Sequence, residues 1–452
     1  MSVPTPASFL SCLRIAWPLV LAMTGNALMM FVDRLFLSHY SAVSIQAALP
    51  AGLVAFMVIA LLQNVVSYSG TFVAQYAGSG SRAACARAMG QGLWLSLACV
   101  PVLLATLPLG LWLFDLVGHA PDVLAEEKRY YLTLVVANLA LPFGAALSGF
   151  FAGRGHTRLV MVANLCGNVA NIALDPLFIW GWGPVPELGI VGAGVATAIG
   201  QFLILAILAA ALAFEPHFAT RRRRRVVLAW KRPLALRIVR FGVPNGGHVL
   251  LDVGTFTVFT FVTGWLEPIE FAASNIAFAI NQLVFAPLMG IGMAANIVVG
   301  QRMGDRDPDG AARGARNTVL LGWAYVVLCL LVIGGLNETI LRLFYPAGAP
   351  FDYAPYVTLG RHLIAIFLAW AFFDVLNIVL GGALKGAGDT RFVVWWVGGT
   401  AVVLWMPALF GAYALGASIE VLWLTMLGYV MVAGGGLLVR LLRGKWKALR
   451  LI

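Results

Sequence analysis

Four aspartates stand inside long apolar stretches of this chain: Asp33, Asp175, Asp252 and Asp374. A carboxylate in such surroundings is costly to keep charged, so each needs a counter-ion, water or a proton. A single one could be satisfied by a hydrogen bond between helices. Four together point to reversible binding of a proton or a small hard cation, which takes carboxylate, amide and hydroxyl oxygens. Asn171 precedes Asp175 by one helical turn and shares its face. Asp33 is about 28 Å along a helix from Arg14, Asp175 about 26 Å from Arg158 and Thr197 about 27 Å from Glu215, at ~1.5 Å per residue. Asp33, Asn171, Asp175 and Thr197 therefore offer oxygen ligands at one level. Asp252 and Asp374 come out lower, about 16–18 Å from the nearest cytoplasmic charge. His248, one turn before Asp252, forms either a titratable couple with it near neutral pH or a plain ion pair. Asn377, three residues after Asp374, is its expected hydrogen-bond neighbour.

The elements that carry these residues follow from composition. Of 452 residues, 61% are apolar and only 11% charged, with a mean hydropathy of +0.90. Soluble domains hold about 45–50% apolar and about 25% charged residues, so the chain is an all-α polytopic membrane protein. Apolar runs bounded by charge, Gly or Pro predict twelve spans. They lie near 15–38, 49–73, 90–114, 132–152, 159–181, 190–213, 241–264, 271–298, 318–341, 357–383, 391–412 and 418–439. The first run is too long for a signal-peptide core and contains Asp33, so it is expected to remain as a span.

Charge sets the orientation. Of the 30 Lys and Arg, all but Arg34, Lys128, Arg129, Arg342 and Arg361 fall on one side if alternate loops are inside. The positive-inside rule then places both termini in the cytoplasm. The run Arg221–Arg225 with Lys231, Arg232, Arg237 and Arg240 accounts for much of the net charge of +11. It lies between two spans, and its five consecutive arginines have no aromatic interleaved, so it reads as a cytoplasmic connector, not a nucleic-acid surface. The five cysteines are scattered without metal-binding spacing. The histidines are dispersed too, and no HExxH or GxSxG stretch is present, which argues against a membrane-embedded enzyme.

An internal repeat divides the spans six and six. Gly153-Arg-Gly-His-Thr-Arg158 is echoed by Gly386-Ala-Gly-Asp-Thr-Arg391. Leu13-Arg-Ile15 with Pro18 is echoed by Leu236-Arg-Ile238 with Pro244, and Val73-Ala-Gln75 by Val299-Gly-Gln301. The expected organisation is an amino-terminal lobe (1–213), a basic connector (214–240) and a carboxy-terminal lobe (241–452). Six spans per half make the repeats parallel, with a cleft between two bundles that would give alternating access.

These segments resemble the multidrug and toxic compound extrusion (MATE) family, prokaryotic type, over essentially the full length. The resemblance is carried by Phe31-Val-Asp33, Asn171-Ile-Ala-Leu-Asp175-Pro-Leu-Phe and Leu188-Gly-Ile-Val-Gly-Ala-Gly-Val-Ala-Thr197. Phe373-Asp374, Leu384-Lys-Gly-Ala-Gly-Asp-Thr-Arg391 and Val299-Gly-Gln301 complete it. It implies a V-shaped pair of six-helix bundles exporting bulky, often cationic and lipophilic compounds in exchange for Na⁺ or H⁺, with no other cofactor. It also implies a cation site at Asp33 and Asp175, accompanied by Asn171 and Thr197, and a helix bend at Pro18. Asp252 and Asp374 match second-lobe residues used for coupling or substrate contact, although many members carry Glu at the Asp252 position. The expected partners are small molecules and membrane lipid, with the chain acting as a monomer. A lipid-linked precursor flippase would place arginines deep in its spans, where this sequence has none. A major-facilitator transporter shares the six-plus-six plan, but its basic loop signature is only faintly suggested by Gly304 to Arg316.

Overall fold

The computed structural model describes residues 8–216, 218, 220–345 and 350–452. Among them are twelve helices long and apolar enough to cross a membrane. Six precede the basic connector: α1 (Phe9–Tyr40), α2 (Ala42–Gly78), α3 (Arg82–Val117), α4 (Pro121–Gly153), α5 (Thr157–Ile179) and α6 (Ile190–Ala213). The connector contributes a short helix, α7 (Arg221–Leu228). Six follow: α8 (Arg232–Thr263), α9 (Pro268–Gly304), α10 (Pro308–Leu343), α11 (Tyr353–Ala387), α12 (Thr390–Ala414) and α13 (Ile419–Leu442). They run 23–37 residues, beyond the ~20 that cross the hydrocarbon, because their ends project to where charge is tolerated.

The regular α-helical hydrogen bonding is interrupted within several spans, and prolines account for three of the places. Proline lacks an N–H donor and crowds the carbonyl four residues earlier. Pro142 does this at Asn138, where α4 turns, and Pro108 at Leu104, just before the turn of α3 at Thr106. Pro407 does it at Val403, inside a π-helical turn (Ala401–Trp405) of α12. A second π-turn (Leu376–Leu380) in α11 has no proline and begins two residues after Asp374. Such turns recur at functional positions.

Contacts group the chain into two compact units. One holds Leu21–Gly247 with Gly304–Arg306; the other holds the described residues up to Val20, with His248–Met303 and Asp307–Leu451. Both α1 and α8 are therefore shared. Each divides shortly after a proline, Pro18 in α1 and Pro244 in α8. In the first unit, Arg154 in the α4–α5 loop pairs with Glu215 after α6 at 2.7 Å and lies over the Phe150 ring. In the second, Asp389 in the α11–α12 loop pairs with Arg440 near the end of α13, also at 2.7 Å, and Arg440 lies over Phe392. Corresponding loops of the repeat are thus tied to the last helix of their own half by mostly buried ion pairs of opposite polarity. The second unit's core centres on Trp423, stacked on Phe278 and donating to Ser274.

Candidate functional site

The first-unit site begins with a close approach of α5 and α6. A Cβ on Gly200 would sit 2.8 Å from the Gly167 carbonyl oxygen, and one on Gly167 would collide with Gly200 and Ile204. Small residues let two helices approach this closely inside a membrane. Asn171 follows Gly167 by one turn and Asp175 by two, which aims both into the same seam. Thr197 is one turn before Gly200 on the facing helix. Asn171 Nδ2 donates to Thr197 Oγ1 at 3.3 Å, and Thr197 donates to the Ala193 carbonyl.

The helix α1 brings Asp33 to this seam. Asp33 is 8% exposed, while Asp175 and Asn171 are fully buried. The carboxyl groups of Asp33 and Asp175 lie within hydrogen-bonding reach of each other. When both are ionised, neither can donate. Asp33 Oδ1 and both oxygens of Asp175 accordingly have no hydrogen-bond partner, and Oδ1 of Asn171 has none either. A buried group left without one carries an appreciable energetic cost. Several unpaired acceptor oxygens around one point are the chemistry that a proton or a small hard cation satisfies. All four residues singled out from sequence in this half are therefore brought together.

Two more residues belong to the surroundings. Tyr130, buried on α4, lies within electrostatic reach of both aspartates, as does the exposed Arg34 with Asp33. One turn earlier on α4, Glu127 is fully buried; its Oε1 is 2.7 Å from Nδ1 of His119, and its other oxygen has no partner. Sequence reasoning missed Glu127 because Glu126, Glu127, Lys128 and Arg129 read as a polar loop before a span starting near residue 132. The helix in fact starts at Pro121.

The second-unit group is more open. Asp252 and Asp374 are partly exposed and interact electrostatically. Asn377 donates to Asp374 at 3.3 Å, as its spacing predicts. His248 Nδ1 is 3.0 Å from Asp252 Oδ2, yet neither imidazole nitrogen makes a hydrogen bond. The buried phenol of Tyr429 faces both aspartates electrostatically. Pro18 lies inside one continuous helix, two residues before α1 passes from one unit to the other.

Against known proteins, a family model described as MatE matches residues 18–177 and 244–410. The chain belongs to the MatE family of efflux transporters. Each matched segment carries two of the four intramembrane aspartates, and the unmatched stretch between them holds the basic connector. A probable multidrug resistance protein NorM of Bradyrhizobium diazoefficiens is 30% identical over 85% of this chain and 82% of its own length. One of the same description from Pseudomonas aeruginosa is 27% identical over 100% of this chain and 92% of its own. Among solved structures, a MATE crystallised in complex with MaL6 superposes with a TM-score of 0.82 at 18% identity, covering 96% of this chain and 95% of that one. The MatE fold therefore extends over nearly the whole sequence.

Proposed function

We propose that this MatE chain exports lipophilic, often cationic compounds across the bacterial inner membrane by alternating access, in exchange for an inward-moving Na⁺ or H⁺. The proposed topology has both termini cytoplasmic, and the working unit is a monomer. Membership of the family and the names of the NorM relatives support a multidrug substrate range. One observation carries the coupling assignment: the buried, mutually close Asp33 and Asp175 with their unpaired acceptor oxygens.

In this reading the ion enters among Asp33, Asn171, Asp175 and Thr197. With both aspartates ionised, two like charges share a poorly solvated seam; one proton or cation relieves the repulsion and supplies the missing partner. Occupancy changes how α1 packs against α5, and α1 is one of the helices shared between the two units. An ion shifts the conformational equilibrium only through its differential affinity for the two states, about 1.4 kcal/mol for each tenfold. Substrate release is favoured in the ion-loaded state.

The second group then serves substrate. Asp252 and Asp374 are more accessible than the first pair, and partly solvated carboxylates beside aromatic rings suit a lipophilic cation through charge and cation–π attraction. His248, one turn before Asp252 and 3.0 Å from its carboxylate, belongs to the same group. Dye efflux from everted vesicles tests the reading. A Na⁺ gradient and a pH jump applied separately should leave one of them driving transport, and that response should vanish in Asp33→Asn. Transport that ignores both gradients rejects ion exchange.

A further inference from the structure

The helix α7 is unusual in its own right. It is eight residues long, with arginine at each of its first five positions. A helix this short is marginal in water. Like charges three and four residues apart weaken it further, and cations in the first turn oppose the helix dipole. Thr220 caps its start by accepting from the Arg223 N–H.

What holds it is the first third of α3. Trp94 Nε1 donates to the Leu228 carbonyl at 2.6 Å and Gln91 Nε2 to the Ala229 carbonyl at 3.0 Å. Gln91 Oε1 then accepts from the Lys231 N–H at 2.8 Å. These contacts satisfy carbonyls that a helix end leaves open. Val227 is buried, and its carbonyl comes so close to Gly90 that a Cβ there would be 2.2 Å away. The connector is thus a docked element whose arginines are held at a fixed place, at the cytoplasmic end of a span.

Two of the five guanidiniums are used internally: Arg223 donates to the Pro216 carbonyl and Arg224 to that of Phe218. Arg221, Arg222 and Arg225 are exposed, and among the described residues no acid pairs with them. Beside them, Val226, Leu228, Trp230 and Trp94 expose large apolar surfaces. Basic residues beside exposed apolar and indole groups are the composition of a helix lying in a membrane interface. The cytoplasmic leaflet supplies the matching charge, as anionic headgroups attract basic segments there.

We propose that α7 is a binding surface for anionic phospholipid of the cytoplasmic leaflet, with Arg221, Arg222 and Arg225 engaging the headgroup phosphate and Val226 and Trp230 seated among the acyl chains. Each arginine near such a surface is worth about fivefold in binding. The test is native mass spectrometry of the full-length protein in detergent, titrated with phosphatidylglycerol or phosphatidylcholine. The wild type should retain phosphatidylglycerol at least tenfold better, with the preference shrinking as salt rises. The triple variant Arg221→Gln/Arg222→Gln/Arg225→Gln should bind the two lipids equally. The triple lysine variant, which preserves charge and controls for folding, should keep most of the preference. The proposal is overturned if the glutamine variant selects phosphatidylglycerol as the wild type does, or if the wild type shows no preference. Displacement of the lipid by inorganic phosphate alone would also overturn it, since the ligand would then be a free anion.

Discussion

Asn171 on α5 and Thr197 on α6 are joined side chain to side chain at 3.3 Å, one helical turn from the point where Gly167 and Gly200 bring the two backbones together. The glycine contact and the polar contact belong to one seam, so helix packing fixes the positions of the oxygens around Asp175. Position 200 gives a test remote from the charges. Gly200→Ala places a methyl group 2.8 Å from the Gly167 carbonyl oxygen, and rigid backbone has to shift. Overpacking of this kind costs about 1–3 kcal/mol. The expected outcome is a correctly inserted protein whose coupling-ion affinity falls at least tenfold, read as the ion concentration giving half-maximal dye efflux.

The two acidic groups should separate by phenotype. Asp252→Asn is expected to raise the half-saturating concentration of cationic dyes while leaving that of the coupling ion unchanged. Its effect should be smaller on a neutral substrate. A matched set of dye and ion titrations checks this, and equal shifts in both would merge the two roles.

The ion pair Arg154–Glu215 is largely buried, and removing one member leaves the other charge without a partner. Arg154→Ala should destabilise the first unit by up to about 3 kcal/mol, the lower end for a broken buried pair. The exchange Arg154→Glu with Glu215→Arg should recover much of that loss, because the second half already uses the opposite polarity in Asp389–Arg440. Thermal unfolding in detergent, followed by tryptophan fluorescence, reads both effects.

His156 follows Arg154 by two residues in the loop just before Thr157 and α5. Burial, and then the neighbouring Arg154 guanidinium, hold its imidazole below the ordinary value of 6.5, against a smaller opposing effect of Glu215. A histidine with a lowered folded value binds fewer protons folded than unfolded, so stability rises with pH through that range. Its contribution to unfolding should be absent well above pH 6.5 and destabilising as pH falls from there through the folded value. His156→Asn should flatten this part of the curve in thermal unfolding measured across that range.

Much of the architecture was legible because a membrane span must be long and apolar: the predicted run at 190–213 coincides with α6 (Ile190–Ala213). The helix ends were not, since α2 and α9 continue well beyond their apolar cores. Asp33, Asn171, Asp175 and Thr197 could be set at one height by counting residues, because a helix converts sequence distance into depth. Counting could not reveal that the Gly167–Gly200 contact closes the seam. Glu127 escaped because burial of a charge inside a polar-looking segment depends on neighbours distant in sequence. The Asp389–Arg440 pair and the docking of α7 on α3 escaped for the same reason. The π-turn after Asp374 has no proline to announce it.

The central claim is that Asp33 and Asp175 take up the ion that drives export. Dye transport in everted vesicles under an imposed Na⁺ gradient or pH jump measures it most directly, with Asp33→Asn and Asp175→Asn compared against wild type at equal expression. Loss of gradient-driven transport in both variants, with dye binding retained, is the predicted result. Wild-type rates in both would contradict the account.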